Sequence, residues 1–182
     1  LTGEVSGFSD SKQVDVIVTN PPYGGIEEDG VASNFAKEFQ TKETADLFMA
    51  LLMEKLSDNG RAGIVLPDSI LFGDGVKNKG EAKLLKEFNL HSIVRLPEGV
   101  FAPYTPITTN LLFFNRDPKG TKEIWFYELE LPEGLARFTK TNPIKKHHFN
   151  KVKAWWNNRV ENEQAWLVKV EDLNNHDLDL KN

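Results

Sequence analysis

The stretch VDVIVTNPPYGG, residues 14–25, constrains this chain more than any other. Val14, Val16, Ile17 and Val18 make a short apolar, β-branched run, the pattern of a buried strand. The run ends at Asn20-Pro21-Pro22-Tyr23. Two successive prolines have no backbone N–H and fix φ, so a strand cannot continue through them. A carboxamide, carbonyl groups without neighbouring amide donors and an aromatic ring are thereby gathered at a strand's carboxyl end. In an open α/β sheet that is where ligands bind.

Strand and helix patterns alternate after this stretch. Leu47, Phe48, Leu51, Leu52 and Leu56 recur at three- and four-residue spacing, which predicts a helix over 44–56 with Asn59-Gly60 as its stop. Residues 62–66 (AGIVL) predict a buried strand ended by Pro67-Asp68. A loop with Gly73, Gly75 and Gly80 then leads to a helix over 81–89 with Leu84, Leu85 and Phe88 inward. Strands are expected at 91–96, 108–115 and 123–129, the last two joined by the turn residues Arg116-Asp117-Pro118-Lys119-Gly120. A weakly patterned helix over 32–39 and one over 149–160, with Val152, Trp155 and Trp156 on one side, complete the reading. The fold class is α/β: a partial Rossmann-like sheet, mostly parallel with antiparallel strands at its edge, helices on its faces and a C-terminal extension.

Composition narrows the function classes. A chain of 182 residues carries one domain with a sizeable core. It has no cysteine, which excludes a disulfide framework and a thiol nucleophile. The adjacent His147-His148 pair has no third ligand at useful spacing, so no metal site is expected. There is no long apolar run, so no membrane association is expected and the cytoplasm is the default location. The first residue is Leu1 and the last segment is a polar tail, and the chain reads as a fragment of something larger. A net charge of −5 argues against a generic polyanion-binding surface, though a local basic face is compatible with it.

Asn-Pro and Pro-Pro both mark ordinary turns, but a chemical role accounts for every position of the motif. The Asn20 carboxamide oxygen and the Pro21 carbonyl can together accept both hydrogens of an exocyclic amine. That draws the nitrogen lone pair out of conjugation and aims it at an electrophile, with no protein nucleophile and no metal. Tyr23 offers a face on which a planar base can stack, as a flipped-out nucleobase requires.

Residues 15–23 (DVIVTNPPY) resemble the catalytic motif of S-adenosylmethionine-dependent amino methyltransferases. The resemblance sharpens over GRAGIVLPD (60–68), IVRLPEGVFAPYT (93–105), TNLLFF (109–114), KEIWFY (122–127) and TKTNPI (139–144). Together these blocks resemble the modification subunit of type I restriction–modification enzymes over nearly the whole chain. The resemblance implies methyl transfer from S-adenosylmethionine to the N6 amine of a flipped adenine in DNA. Asn20, Pro21, Pro22 and Tyr23 would be catalytic, with Tyr23 stacking on the base. Phe101 would close the base's other face, Tyr104 being the alternative. Asp46 and Phe48 fall, with Asn20, where such enzymes contact the cofactor, although the spacing of Phe48 also suits plain core packing. The family's glycine-rich cofactor loop precedes its Asn-Pro-Pro-Tyr motif and is absent from this chain; Gly73-Asp74-Gly75 is a poor substitute. Residues 1–130 would then be the later half of the methyltransferase domain and 131–182 a basic, aromatic extension packed on it. Such a fragment is expected to be inactive alone.

The resemblance also implies partners, namely DNA and the specificity and restriction subunits of the same system. From Arg137 to Arg159 there is no acidic residue. Lys140, Lys145, Lys146, Lys151 and Lys153 lie in this interval beside Phe138, Phe149, Trp155 and Trp156. The lysines would contact DNA phosphates or a partner subunit, or form a solvated face. Two other readings stay open. Protein-glutamine methyltransferases use the same tetrapeptide on a similar planar amide, and a non-catalytic DNA- or subunit-binding fragment needs no chemistry at all.

Overall fold

A computed structural model describes residues 13–23, 25, 44–68 and 76–173. Its strands are Val14–Thr19 (β1), Leu56–Pro67 (β2), Phe88–Arg95 (β3), Thr109–Arg116 (β4), Glu123–Glu128 (β5) and Ala165–Lys169 (β6). The helices are Thr44–Lys55 (α1), Val76–Glu87 (α2) and Asn150–Trp156 (α3). All six strands form one sheet in the order β1-β2-β4-β3-β5-β6. β1 pairs parallel with β2, and β3 with β5, whereas β4 runs antiparallel to both its neighbours and β6 is antiparallel to β5.

The α/β class and the mostly common strand direction agree with expectation, and β6 is the antiparallel edge strand. The placement of β4 requires correction, because it lies inside the sheet between β2 and β3 rather than at the edge. β4 follows β3 without a crossover helix, so it folds back antiparallel beside it. The other side of β3 is taken by β5. The consequence for function is positional. The connection between β3 and β4, residues 96–108, emerges at the carboxyl ends of β1, β2 and β3.

Alternation along the strands builds two cores. Ala62, Ile64, Leu66, Leu90, Ile93, Leu112, Phe114, Ile124 and Phe126 point to one face, where Leu47, Leu52 and Met53 of α1 and Leu84 and Leu85 of α2 cover them. Val94, Leu96 and Tyr127 point to the other face, against Val152 and Trp155 of α3. Trp155 donates from its indole nitrogen to the Val160 carbonyl at 2.8 Å. Arg159 lies over the Trp156 ring at 4.5 Å and donates to the His91 carbonyl at 3.4 Å. Burial, and then the Arg159 charge, lower the His91 pKa to about 4, so this imidazole is neutral at physiological pH.

Several sequence expectations are altered. β1 is not buried: Val14 is 45%, Val16 50% and Val18 84% exposed. The side chains on this face are half to largely exposed, while Ile17 on the opposite face packs against the first core. Val14, Val16 and Val18 share one face and Asp15 and Ile17 the other, and it is the Ile17 face that meets the core. Asn59-Gly60 is not a helix stop. α1 ends at Lys55 and the chain passes directly into β2, where the pairing shifts from Val14↔Leu56 to Val16↔Arg61. Asn59 has φ of 62° in this bulge, a conformation that Asn tolerates better than most residues. α2 begins at Val76 and ends before Phe88, which is the fully buried first residue of β3. α3 is shorter than expected, and β6, which sequence patterning did not suggest, completes the sheet. Residues 32–39 and the glycines at 73 and 75 lie outside the described residues. No helix among the described residues is long and apolar enough to cross a membrane.

Candidate active site

Asn20 follows directly on β1, so its position is set by the parallel pairing of Thr19 with Ile64 in β2. Asn20 and Pro22 are exposed, Pro21 is buried and Tyr23 is half-buried. The buried proline anchors the turn while the Asn20 carboxamide faces outward. The Tyr23 hydroxyl donates a hydrogen bond to Asn20 Oδ1. Partial burial pushes the Tyr23 pKa up to about 12, with the Asn20 contact opposing this in part. The phenol therefore remains protonated, and a donor, at any physiological pH.

The second wall comes from the β3–β4 connection. Phe101 meets Tyr23 edge-on, with ring centroids 5.4 Å apart and planes at 76°. Phe101 and Tyr23 are thus brought together across the end of β2, whereas Tyr104 is 92% exposed. A planar base between two rings needs about 7–8 Å, twice the carbon–carbon contact distance. The pair as it stands is closed, and admission of a base requires one ring to turn aside.

The Phe101 loop is held at several points. Its turn is closed by Ala102 N–H to Gly99 O at 3.0 Å and Tyr104 N–H to Phe101 O at 2.9 Å. Phe138, fully buried, donates its N–H to Glu98 O at 3.0 Å. Gly99 has φ of 79°, and a Cβ there would stand 2.0 Å from the Phe138 carbonyl oxygen. At the base of the loop, the Asp68 carboxylate accepts from Arg95 Nη2 at 2.5 Å and from Asn110 Nδ2 at 2.6 Å. The sequence reading singled out none of these three. The available signal was a carboxylate just past a strand-ending proline, with a guanidinium at the end of the next parallel strand.

The remaining sequence candidates are dispersed. Thr44 N–H donates to Gly25 O at 3.3 Å, so α1 starts beside the motif turn. That puts half-buried Asp46 in the first turn of α1, at this end of the sheet, with half-buried Phe48 two residues on. Lys140, Lys145, Lys146, Lys151 and Lys153 are all exposed, and Lys151 pairs with Glu130 at 2.8 Å. The interleaved aromatics are engaged elsewhere: Phe138 and Trp155 are core residues, and Phe149 and Trp156 pack against the second core. Among the described residues no three His, Cys, Asp or Glu side chains converge as metal ligands do.

Comparison with known proteins places this geometry in a family. Residues 2–182 match the family model described as N-6 DNA Methylase. The chain is 54% identical to the type I restriction enzyme EcoEI methylase subunit of Escherichia coli, over 94% of this chain and 36% of that protein. It is 32% identical to the StySPI methylase subunit of Salmonella potsdam, over 75% of this chain and 26% of that one. The crystal structure of a modification subunit from Vibrio vulnificus YJ016 superposes with a TM-score of 0.87 at 47% identity, covering 92% of this chain and 36% of the other. The chain thus spans about a third of the length of these relatives. With its strand order, its Asn-Pro-Pro-Tyr turn and a match along nearly all its residues, this chain belongs to the N-6 DNA methylase family.

Proposed function

We propose that this chain is the base-holding part of a type I DNA methylase subunit that transfers a methyl group to the N6 amine of adenine. The observation that carries the reading is that Tyr23 meets both other parties, the Asn20 carboxamide through its hydroxyl and the Phe101 ring through an edge-on contact. The Asn20 oxygen and the Pro21 carbonyl accept the two amine hydrogens of a base turned out of the duplex. The Tyr23 hydroxyl holds that carboxamide oxygen in the meantime, and the incoming amine takes its place. One neutral hydrogen bond is exchanged for another, each with a net worth of about 0.5–1.5 kcal/mol, so the exchange is easily reversed. Tyr23 then turns its ring face to the base, and Phe101 lies on the other side. With its lone pair localised, the amine nitrogen would form its new N–C bond as the methyl–sulfur bond of the donor breaks, the electron pair staying on sulfur, and the extra amine proton would pass to water.

S-adenosylmethionine, when bound, supplies the electrophilic methyl group. The described residues fit one side of such a group. The exposed Asn20 carboxamide and the first turn of α1 with Asp46 lie at the carboxyl end of β1, where its methyl-donor end would approach. The remainder of the cofactor site, and the cover for the exposed valine face of β1, belong in this reading to other parts of a longer methylase subunit. Residues 1–130 form the later half of the methyltransferase domain, and 131–182 an extension that adds α3 and β6. The exposed lysines 140, 145, 146, 151 and 153 face DNA or a companion subunit. Relatives named as methylase subunits of type I restriction enzymes support specificity and restriction subunits as those companions.

Amino methyl transfer to protein glutamine is the competing chemistry, and the acceptor distinguishes the two. The full-length protein with its companion subunits is expected to move a radiolabelled methyl group from S-adenosylmethionine to unmethylated genomic DNA. Label in protein glutamine with none in DNA would overturn the proposal.

A further inference from the structure

Asp68 lies outside the base-holding set, yet its geometry ties it to that set. Arg95 is the last residue of β3 and Asn110 is the second of β4, and the two are directly paired across the ladder. They therefore flank the base of the 96–108 loop that carries Phe101. The Asp68 carboxylate, from the end of β2, takes one hydrogen bond from each, at 2.5 and 2.6 Å. The backbone repeats the join: Asp68 N–H donates to Thr108 O at 3.1 Å, and Leu96 N–H to Thr109 O at 2.9 Å. Asn110 is fully buried, and its own carboxamide oxygen has no partner. A buried amide with one end unsatisfied is unusual. It is held in that orientation by the Asp68 contact rather than by a wider network.

We infer that Asp68 is a positioning residue for the methylation reaction, clipping both ends of the Phe101 loop to the end of β2 so that Phe101 stands opposite Tyr23. The inference rests on the base-holding reading of Tyr23 and Phe101 given above. A carboxylate suits the task because both its oxygens accept, matching two donors that converge from different strands. An amide in its place accepts through one oxygen only: either the loop base parts from Arg95 or from Asn110, or Asn110 turns its carboxamide over and leaves its buried NH2 group unpaired, and in each case the clip loosens. A displacement of about 1 Å at a reacting group can lower turnover about 10²-fold, and Phe101 is the group that such a displacement moves.

The test is a double-mutant cycle in the full-length methylase with its companion subunits, using Asp68→Asn, Phe101→Ala and both together. Turnover on unmethylated genomic DNA is measured per bound S-adenosylmethionine, so that loss of folded enzyme does not count. Asp68→Asn is expected to lower turnover roughly 10- to 100-fold, with KM for the cofactor within about 2-fold of wild type. Because Asp68 acts through Phe101, the double variant should fall no more than about 3-fold below Phe101→Ala alone. Turnover of Asp68→Asn within about 2-fold of wild type overturns the inference. So do two losses that multiply, the result a merely structural Asp68 gives. Should Asp68→Asn fail to fold, Asn110→Leu, which removes one leg of the clip and keeps the branching at Cγ, enters the same cycle with the same two readings. A wild-type enzyme that methylates no DNA overturns both this inference and the function it rests on; a wild type that does so beside a silent Asp68→Asn overturns this inference alone.

Discussion

Replacing Asn20 by alanine in the full-length enzyme is expected to reduce methyl transfer at least about 10²–10³-fold, the loss seen when one preorganised polar contact to a reacting centre is removed. The substitution deletes the carboxamide oxygen proposed to accept an amine hydrogen. Without it the amine nitrogen keeps its lone pair in conjugation with the ring and is a poor nucleophile. Stability should change little, within roughly 0.5 kcal/mol, because Asn20 is exposed and its side-chain hydrogen bond goes to the Tyr23 hydroxyl at the surface. DNA affinity should stay near that of wild type, since phosphate contacts supply most of it. Turnover with labelled cofactor, a binding isotherm and an unfolding curve separate these effects. An Asn20→Ala enzyme that no longer folds would make the turn structural, and one that methylates normally would remove Asn20 from the chemistry.

The largest effect on stability is expected at Gly99. Its φ of 79° costs an L-residue about 1–2 kcal/mol, and a Cβ would stand 2.0 Å from the Phe138 carbonyl oxygen. Two backbones in such close approach cannot accommodate a methyl group, so the 96–108 loop and the segment carrying Phe138 must separate. That breaks the Phe138 N–H to Glu98 O bond and loosens a fully buried phenylalanine. Gly99→Ala should lose roughly 2–4 kcal/mol and, by moving Phe101 two residues away, lose methylation as well. Denaturant unfolding reads the first effect and turnover the second. An unchanged midpoint would mean that the two segments do not meet as described.

The elements set by local periodicity were legible in the sequence, and those set by long-range pairing were not. The helix face of Leu47, Leu51 and Leu52 and the strand at residues 62–66 follow from spacing alone. The tetrapeptide stood out as a candidate site because a chemical role accounts for each of its positions, whereas a plain turn accounts for the prolines alone. Phe101 could be assigned only through family resemblance, since nothing in its own surroundings says that the loop crosses β2 to reach Tyr23. That crossing depends on β4 lying inside the sheet, a choice made by which side of β3 was free. β1 misled because its valines report a hydrophobic environment that the described residues supply on one face. The aromatics between Arg137 and Arg159 look like part of one basic, aromatic surface when read beside the lysines, but Phe138 and Trp155 are core. β6, AWLVK, becomes a strand by pairing with the free edge of β5, a long-range partner that spacing along the chain does not announce. The Asp68 clip joins side chains 27 and 42 residues apart, so the strand-end positions of Asp68 and Arg95 hint at a shared place in the fold without saying that the two meet.

Nucleoside mass spectrometry of DNA modified by the full-length enzyme tests the base-holding account most directly. In that account the Asn20 carboxamide oxygen and the Pro21 carbonyl accept from an exocyclic amine, and the Tyr23 and Phe101 rings, now in edge-on contact, part to take one base. N6-methyladenine as the product, lost in the Asn20→Ala enzyme, is the predicted result. N4-methylcytosine or a carbon-methylated base, or N6-methyladenine that persists when Asn20 is removed, would contradict it.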